Sequence, residues 1–429
     1  MKVGIVGAGI SGLQTALLLQ EAGHEVTVFE GRNRIGGRLE LRSFGGDAPY
    51  EAGGEWIDAD QPRLRALLAL YGEALEPAPD GEALVIYKGA RVTANKLWER
   101  AAIDEEAFQA RATEMASTLQ LPSWLNTYSA EYDASNLADF LDEICASPEG
   151  RWWLNANLRS DEGDDIRHIG LLGWLCGYVH YVNRDNPNRG ESEMSAFRCG
   201  TGFTNLLANM ATKLNQPVRL DHILDRVEGT TLVFENSERH SFDKLVLTLP
   251  PRCLERVVFD PPLTKEKRCA IEACGMSRAI KIAFRFSKAW WLDEGFSGRL
   301  HCDGPLQQLW DGTRGGDPVL VAYICGERAV EWTKLDDPIK AAVYELSQLF
   351  PVATEYFVEG ELSNWVDDPF CFGAFSNMPP KYALTHAQNI VVPQGDTHFA
   401  GEHTATWVGF IEGALESAER VAAEIGPCR

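Results

Sequence analysis

The sequence predicts an α/β protein that combines a Rossmann-like dinucleotide-binding domain with a discontinuous α+β substrate domain. Three observations predict this fold class. Residues 2–30 form a complete strand–turn–helix–strand pattern with a glycine-rich turn. Residues 397–425 form a short strand, a second glycine-rich turn and a helix. Between these two regions, strand-like and helical segments alternate along the chain. The chain has 429 residues, which suffices for about two or three domains.

Composition and charge exclude several classes of protein. With 40 Lys and Arg against 62 Asp and Glu the net charge is −22, and the hydrophobic content of 45% excludes wholesale disorder. Such an acidic chain argues against binding to nucleic acid and against docking on anionic membranes. We find no signal-peptide pattern and no apolar run of about 18 residues, and we therefore expect a cytoplasmic protein without a membrane span.

The cysteine pattern indicates neither a metal site nor a disulfide framework. The ten cysteines are scattered, with no CxxC pair and no Cys/His cluster at the spacing of a zinc site. We expect them to be reduced, buried small residues, and we expect no bound metal.

The N-terminal unit carries a dinucleotide-binding pattern. Lys2–Val6 is a β-branched run, residues 7–12 are Gly-Ala-Gly-Ile-Ser-Gly, Leu13–Glu21 has helical spacing, and Glu25–Phe29 is a second apolar strand that ends at Glu30. A glycine turn alone is weak evidence, but this one follows a strand, opens a helix and precedes a carboxylate at a strand end. Because Glu30 can accept hydrogen bonds from ribose hydroxyls, the pattern predicts a dinucleotide with an unphosphorylated ribose, such as FAD or NAD.

Each residue of the turn has an expected physical task. Gly7 permits the sharp turn, Gly9 lets the backbone approach a pyrophosphate, and Gly12 allows the helix to pack closely on the strand. The phosphates are expected at the positive end of the helix that starts near Ile10 and Ser11.

The remaining elements are predicted from periodicity and turn residues. They are a strand at Leu39–Ser43, a helix through Leu64 and Tyr71, a linker at Glu76–Asp80, a hairpin at Ala83–Thr93, helices from Ser135, at Ile169–Val182 and at Phe203–Leu214, strands at Val218–Leu220, Ile223–Val227, Thr231–Phe234, Lys244–Leu249, Ala279–Phe286 and Val319–Ile324, a helix at Ile339–Leu349, a strand at Thr397–Ala400 and a helix at Gly409–Ile425. The acidic run at residues 161–165 is expected to be a solvated turn between helices.

Glycine-rich motifs near both ends of the chain match one family. Residues 31–38 are Gly31-Arg32-Asn33-Arg34-Ile35-Gly36-Gly37-Arg38, residues 53–56 are Gly53-Gly54-Glu55-Trp56, and the C-terminal region carries Gly401-Glu402 and Gly409-Phe410 before its helix. In these motifs the chain resembles the flavin amine oxidase family, which includes monoamine, polyamine and hydroxynicotine oxidases. The resemblance implies that these residues bind FAD and that the N-terminus of the last helix faces the flavin, where its positive dipole end stabilises the reduced anion.

The resemblance also gives expected roles to single residues. Lys281 matches the family lysine that holds a water beside flavin N5 and helps O2 to take up electrons; the alternative is a lysine on the solvent face of its strand. Trp365 begins a segment that resembles the flavin-facing loop. Phe375 and Phe410 stand where monoamine oxidases have two tyrosines that form a cage around the amine; the alternative is that both are core residues.

Ala374 bears on how the flavin is attached. It stands where monoamine oxidases carry the cysteine that bonds covalently to the flavin, so the resemblance implies noncovalent FAD. Cys371 lies three residues away and is not expected to take over that bond. The backbone at Val227 is expected to pair with adenine, and Leu249-Pro250 is expected to end a strand that crosses under the cofactor.

The predicted domains are discontinuous. Residues 1–76, 195–275 and 390–429 are expected to form the FAD-binding domain, and residues 77–194 and 276–389 the substrate-binding domain. Aromatic residues of the helical insert are expected to cover the substrate cavity or to pack in its core: Trp152, Trp153, Trp174, Tyr178, His180 and Tyr181.

The function expected from the resemblance is that of an FAD-dependent amine oxidase. A neutral amine gives a hydride from its α-carbon to flavin N5, the imine is hydrolysed to an aldehyde or ketone plus ammonia or an amine, and reoxidation by O2 yields H2O2. An apolar, aromatic-walled pocket favours the neutral amine by desolvation. The expected partners are a small-molecule amine and O2; the sequence identifies no particular amine and leaves open whether the chain forms a homodimer.

Three alternatives stay open at this point. An L-amino acid oxidase of the same fold would need an arginine to hold the substrate carboxylate, for which Arg198 is a candidate. A desaturase or porphyrinogen oxidase shares the flavin fold, although the match at Lys281 weighs against it. A flavin-binding partner protein without turnover is the third alternative.

Overall fold

The computed structural model describes residues 1–45, 48–182 and 195–428. The strands are β1 (Lys2–Val6), β2 (Glu25–Phe29), β3 (Leu41–Phe44), β4 (Ala48–Glu51), β5 (Trp56–Ile57), β6 (Leu75–Pro77), β7 (Leu84–Tyr87), β8 (Ala90–Thr93), β9 (Phe197–Cys199), β10 (Leu224–Glu228), β11 (Thr231–Phe234), β12 (Arg239–Ser241), β13 (Lys244–Leu247), β14 (Val258–Asp260), β15 (Gly275–Met276), β16 (Ala279–Phe286), β17 (Leu300–Cys302), β18 (Gln308–Asp311), β19 (Val319–Cys325), β20 (Phe357–Asn364), β21 (Ser376–Asn377) and β22 (Thr397–Phe399).

The helices complete the element order. They are α1 (Ile10–Glu21), α2 (Pro62–Leu70), α3 (Ala94–Ala116), α4 (Ala130–Ala134), α5 (Leu137–Ile144), α6 (Pro148–Glu162), α7 (Leu171–Val182), α8 (Phe203–Ala211), α9 (Pro251–Leu254), α10 (Lys265–Ala273), α11 (Trp290–Asp293), α12 (Glu327–Trp332), α13 (Pro338–Leu349), α14 (Ala353–Tyr356), α15 (Ala387–Val391) and α16 (Ile411–Ile425), with 3₁₀ turns at Ser123–Leu125, Ile166–His168 and Glu402–Thr404.

A four-stranded parallel sheet in the order β2-β1-β13-β22 forms the centre of the dinucleotide-binding half. Its strands are short runs of Val, Ile, Leu and Phe because both faces are covered, and helices α1 and α16 pack together over the sheet. In open parallel sheets of this kind, ligands bind at the carboxyl ends of the strands. Those ends lie at Val6, Phe29, Leu247 and Phe399.

A small second sheet lies next to the end of β2. It has the order β12-β11-β10-β14, and Phe29 of β2 packs against Phe234 of this sheet with 4.7 Å between ring centroids. The contact brings the segment just before β10 close to Glu30, since His222 N–H donates to the Glu30 carbonyl oxygen over 2.8 Å.

The second half of the molecule is built on a seven-stranded sheet with the order β20-β16-β19-β18-β17-β7-β8. Strand β16 is its longest buried strand, with seven of its eight residues buried and Arg285 the exception. Helices α3, α5, α6 and α7 form a separate apolar core beside this sheet. The predicted α/β class is therefore confirmed, while the domain boundaries at residues 76, 195, 275 and 390 stay a prediction.

Four expectations about local structure are wrong in detail. Val218–Leu220 is no strand: only Arg219 bridges to Phe29, because Asp221 with φ 57° turns the chain away. The expected linker at Glu76–Asp80 begins as strand β6, which pairs with β9. Helices α3 and α6 lie in the region after the hairpin where the pattern indicates several helices, but their bounds were not predicted, since their buried stripes are narrow and their charged content is high.

The acidic run at residues 161–165 is the fourth correction. Asp161 and Glu162 are the last residues of α6, and Asp164 is buried at 3% exposure. The Asp164 carboxylate accepts hydrogen bonds from the Arg278 guanidinium, which explains how a charged side chain can be buried there. The segment is therefore part of the interior and not a solvated turn. None of the helices in the described ranges is long and apolar enough to cross a membrane.

Candidate active site

A cavity of about 570 Å³ lies along the carboxyl ends of the parallel sheet, between the first turn of the chain and the start of α16. Of the residues predicted to hold the cofactor, all but Gly12 and Val227 line it, and Lys281 and Phe375 line it as well. A second cavity of about 440 Å³ adjoins it under the helical insert. The residues that line both cavities are Trp56, Ser160, Asp161, Ser195, Gln308, Trp310 and Phe410.

The glycine turn after β1 is close-packed on one side and open on the other. A Cβ at Gly12 would lie 1.9 Å from the Gly7 carbonyl oxygen, and one at Gly7, where φ is 106°, would lie 2.2 Å from Thr248 Oγ1. A Cβ at Gly9 would meet only the Gly36 carbonyl oxygen at 3.9 Å, on the side where Gly9 lines the cavity. The turn can therefore bring its backbone against a ligand, which is what a pyrophosphate needs.

Glu30 is fixed at the rim of this turn. Its two carboxylate oxygens accept hydrogen bonds from the amides of Ala8 at 2.8 Å and Arg32 at 2.9 Å, and the residue is only 6% exposed. Each oxygen keeps a free lone pair on the cavity side, so the carboxylate can accept further hydrogen bonds from hydroxyl groups. The Arg32 guanidinium closes this end through a 2.5 Å ion pair with Asp368.

Two helices begin at the cavity without a capping side chain. Gly9 precedes α1 and Phe410 precedes α16, and neither N-cap residue makes a side-chain hydrogen bond to the first turn. The helices are joined by a 3.0 Å hydrogen bond between Ser11 and Ser417, and Ser417 Oγ also accepts from the Gly401 amide. Uncapped N–H groups and the positive dipole ends make both starts suitable for anionic groups.

Arg38 and Glu402 form a buried ion pair between the two glycine motifs. Their contact is 2.7 Å, with side chains 21% and 6% exposed. Glu402 also accepts hydrogen bonds from Ser376 Oγ at 2.5 Å and from the Gly409 amide at 2.7 Å. Burial alone would raise the pKa of Glu402, but the positive charge of Arg38 and these hydrogen bonds outweigh it and lower that pKa.

Lys281 is buried in β16 and not on a solvent face. It is 6% exposed, and its Nζ donates to the carbonyl oxygens of Glu51 at 3.0 Å and Gly53 at 2.8 Å and to Glu55 Oε2 at 3.0 Å. An ammonium group has three N–H donors, so all three are used within the protein. A water held by Lys281 would have to share one of them.

Glu55 connects Lys281 to the rest of the site. Besides Lys281, it accepts a hydrogen bond from Trp310 Nε1 at 3.1 Å and lies 3.6 Å from the Arg198 guanidinium. Arg198 lines neither cavity, because it is buried against Glu55 and donates to the Asp311 carbonyl oxygen. The residue named as a carboxylate grip in the amino acid oxidase alternative therefore does not reach the site.

Phe410 lies where the two cavities meet, and Phe375 lies on the side of the first cavity. Both line the first cavity, and Phe410 also lines the second, where it packs on Trp407 at 5.3 Å between centroids. Phe375 is confined by glycines: a Cβ at Gly163 would lie 2.6 Å from its ring and one at Gly409 3.2 Å away. The structure thus brings both rings to the first cavity, and Phe410 also to its junction with the second, while their role as a substrate cage stays a prediction.

Ala374 and Cys371 both line the first cavity. Burial raises the pKa of the Cys371 thiol to about 11, although Arg38 and Arg32 nearby oppose the rise. A thiol with this pKa is almost wholly protonated at neutral pH and is a poor nucleophile.

Several other predicted residues lie away from the first cavity. Val227 packs in the core with Phe29 and Leu232, and the chain meets the cavity two to five residues earlier, at residues 222–225. Of the aromatic residues expected to cover the substrate cavity, Trp174, Tyr178 and Tyr181 line the second cavity, whereas Trp152, Trp153 and His180 do not. His180 instead stacks on Trp407 at 4.6 Å.

Carboxylates at the junction were missed by the sequence analysis. Asp58 and Asp161 line the first cavity, and Asp161 and Glu162 line the second. Burial raises the pKa of Asp58 to about 6 and that of Glu162 to about 7, and burial together with Glu162 raises the pKa of Asp161. Helical spacing could have revealed them, since Leu154, Leu158 and Asp161 share one face of α6.

Two groups of side chains have the composition of a metal site. They are His222, Glu238 and His240, and Asp164, Asp165 and His168, with ligand atoms within 4.8 Å in each. Sequence spacing did not reveal the first group because its members come from different segments. Both histidines of that group already contact the Glu238 carboxylate, at 3.2 and 2.9 Å.

Comparisons with known proteins agree on one family. The family described as flavin containing amine oxidoreductase matches residues 10–426. The chain is similar to amine oxidase [flavin-containing] A of Sus scrofa, 26% identical over 99% of this chain and 85% of that protein, and to an L-amino-acid oxidase of Siganus canaliculatus, 26% identical over 98% and 84%. Among solved structures, cyclohexylamine oxidase from Brevibacterium oxydans IH-35A superposes with a TM-score of 0.84 at 22% identity over 99% of this chain and 98% of that one. Putrescine oxidase bound to putrescine gives 0.84 at 23% over 99% of both chains; at these identities both structures show the fold alone.

Proposed function

Because the chain belongs to the flavin containing amine oxidoreductase family, we propose that it is an oxidase that binds FAD noncovalently, converts an amine to an imine and reduces O2 to H2O2. One observation carries the proposal: a single cavity is lined by the N-terminal glycine turn, Glu30 and the uncapped start of α16. These are parts from opposite ends of the chain, and each suits a different portion of one dinucleotide.

The residues that line the cavity fit the successive portions of FAD: the ribose, the pyrophosphate and the flavin ring. Glu30 has free acceptor capacity for the ribose hydroxyls, and the backbone at Gly9 and the start of α1 have free N–H groups for the pyrophosphate. The start of α16 provides a second positive dipole end for the flavin ring. When bound, the flavin supplies a two-electron acceptor for the hydride of the amine α-carbon and passes the electrons to O2.

The protein's contribution to the chemistry is orientation and exclusion of water. Phe375 and Phe410 lack hydroxyl groups, so the part of the cavity wall that these two rings form is apolar and favours the neutral form of the reacting amine. Only a neutral amine can release a hydride from the adjacent carbon, because its nitrogen lone pair stabilises the cationic product. Lys281 fixes the loop that carries Gly53 and Glu55 against the cavity, and sharing one of its N–H groups would orient a water there.

Ala374 supports noncovalent attachment. It has no nucleophile, and Cys371 is a protonated thiol that also contacts Arg32. Acid denaturation should therefore release the whole flavin into the supernatant.

An L-amino acid oxidase is the second candidate, since one relative carries that name. Arg198 does not support it because its guanidinium is engaged by Glu55 outside both cavities. Cytoplasmic location, O2 as the physiological acceptor and homodimer formation stay predictions.

The proposal is tested by adding amines to the purified yellow protein under anaerobic conditions. Loss of the flavin absorbance near its visible maximum, followed on aeration by one H2O2 per amine consumed, is the expected result. A yellow protein that no monoamine, diamine or polyamine bleaches, but that an amino acid does, favours the second candidate.

A further inference from the structure

We propose that Asp161 and Glu162 at the end of α6, together with His301, bind a second, positively charged amino group of the substrate, so that the enzyme acts on diamines or polyamines. The inference rests on the proposed function and deepens it, since it names the substrate class of the same site. It starts from carboxylates that an oxidase for simple apolar amines has no need to bury.

The two carboxylates have no hydrogen-bond or ion-pair partner among the described residues. Neither side chain makes a hydrogen bond or an ion pair with any described residue, although Asp161 lines both cavities and Glu162 lines the second. A partly buried carboxylate without a counter-charge is costly, and protein interiors normally pair it. Two carboxylates that face a cavity and that no described side chain pairs fit a cationic group of a ligand.

His301 is an independent sign of a ligand at this place. It is 8% exposed, lines the second cavity, and has no hydrogen-bond partner among the described residues, although its ring packs edge-on against Trp153. Burial and the charges of Arg299 and Arg159 lower its pKa to about 4, so the imidazole is neutral at pH 7 and offers an acceptor nitrogen. A neutral buried imidazole facing a cavity can accept a hydrogen bond from an ammonium group.

The charge of the second cavity fits a cation. Among the described residues, Glu105, Asp161 and Glu162 line it together with one guanidinium, that of Arg299. Ionised, these side chains leave the cavity negative, which attracts ammonium groups and repels a substrate carboxylate. Burial raises the pKa of Glu162 to about 7, and burial together with the charges of Glu162 and Asp58 raises the pKa of Asp161.

The placement also separates the two ends of the substrate. The reacting amine would lie in the first cavity beside the apolar rings of Phe375 and Phe410. Asp161 stands at the junction and Glu162 beyond it, so a methylene chain that passes the junction places its far ammonium at the carboxylates. One end is thus kept neutral for reaction, while the other end is kept charged for binding.

The experiment compares α,ω-diamines of three to eight carbons with monoamines of the same length on the holoenzyme. We expect kcat/KM of the best diamine to fall about 30-fold or more in the D161N/E162Q variant, mainly through KM, and that of the matched monoamine to stay the same or rise. E143Q is the matched control, because Glu143 is an exposed carboxylate of the same helical insert that lines neither cavity; it should behave like the wild type.

Binding without turnover separates this inference from the proposed function. Calorimetry on anaerobic, dithionite-reduced holoenzyme should show that 1,6-diaminohexane binds more tightly than hexylamine and expels protons near pH 7, because the ammonium favours ionised Glu162 and Asp161. The charged and titratable groups around them are Asp58, Glu105, Tyr181, Arg299 and His301. Proton release should be lost in D161N/E162Q and kept in E143Q.

The outcomes are distinct. Tight, proton-linked diamine binding without oxidation supports the anchor and refutes the proposed function. Oxidation of diamines with the same KM in wild type and D161N/E162Q, and no difference from monoamines in binding, refutes the anchor and leaves the proposed function intact.

Discussion

Replacing Arg38 by methionine would leave Glu402 buried without its counter-charge. Glu402 is 5% exposed and lies 2.7 Å from the Arg38 guanidinium. Removing one partner of a buried ion pair typically costs about 3–5 kcal/mol, because the remaining charge keeps its desolvation penalty. We expect R38M to lower the free energy of unfolding of the apoprotein by about that amount at pH 7.

The pH dependence of this loss has a definite sign. In the wild type the pKa of Glu402 is lowered, so its contribution to stability is present above the ordinary pKa of a glutamate and is lost as the pH falls through the folded-state value. Without Arg38, burial raises the pKa of Glu402, and the folded variant becomes less stable as the pH rises. The stability difference between the two proteins should therefore shrink as the pH falls from 7 towards 4.

The assay is urea unfolding of the apoproteins, followed by tryptophan fluorescence at several pH values. R111M serves as the control, because Arg111 and Glu114 form an exposed pair with side chains 48% and 68% exposed, worth about 0–1 kcal/mol. A loss in R38M no larger than in R111M, or a difference that does not change with pH, would refute the reasoning about Glu402.

Three further predictions test the cofactor site and the lysine. G12A should fold with little or no bound FAD, because its Cβ would lie 1.9 Å from the Gly7 carbonyl oxygen and push the turn out of place; a variant that is isolated as yellow as the wild type contradicts this. K281M should keep its flavin but be reoxidised by O2 about tenfold or more slowly in stopped-flow measurements; unchanged reoxidation would remove Lys281 from the oxygen step and leave it the role of tying Glu55 to the loop at Gly53. Acid precipitation should leave all flavin in the supernatant, identified as FAD by chromatography, and colour in the pellet would contradict noncovalent attachment at Ala374.

The parts of the fold that were predicted from the sequence are those with a local cause. The first βαβ unit depends on glycines within six residues of each other and on apolar runs that alternate with a helical stripe. Strands such as β11 and β16 have the predicted bounds because each is a mostly apolar run with polar residues on both sides of it. The bounds of long, charged helices such as α3 and α6 could not be predicted because their buried faces are narrow stripes in a polar sequence.

In the candidate site, too, local motifs could be predicted from the sequence, whereas contacts between residues distant in the chain could not. The glycines and Glu30 could be assigned from a motif, but the partners of Lys281 could not, since the Glu51 and Gly53 carbonyls and the Glu55 carboxylate lie 226–230 residues away in the chain. Asp161 and Glu162 were misassigned because the acidic run was interpreted from its charge alone, although Asp161 continues the helical spacing of the buried Leu154 and Leu158.

Titration of the colourless apoprotein with FAD and with FMN, followed by quenching of flavin fluorescence, tests the central claim most directly. If the glycine turn, Glu30 and the start of α16 all bind one dinucleotide, FAD should bind stoichiometrically. It should also bind far more tightly than FMN, because FMN lacks the adenosine portion. Failure to take up FAD, or equal affinity for the two flavins, would contradict the account.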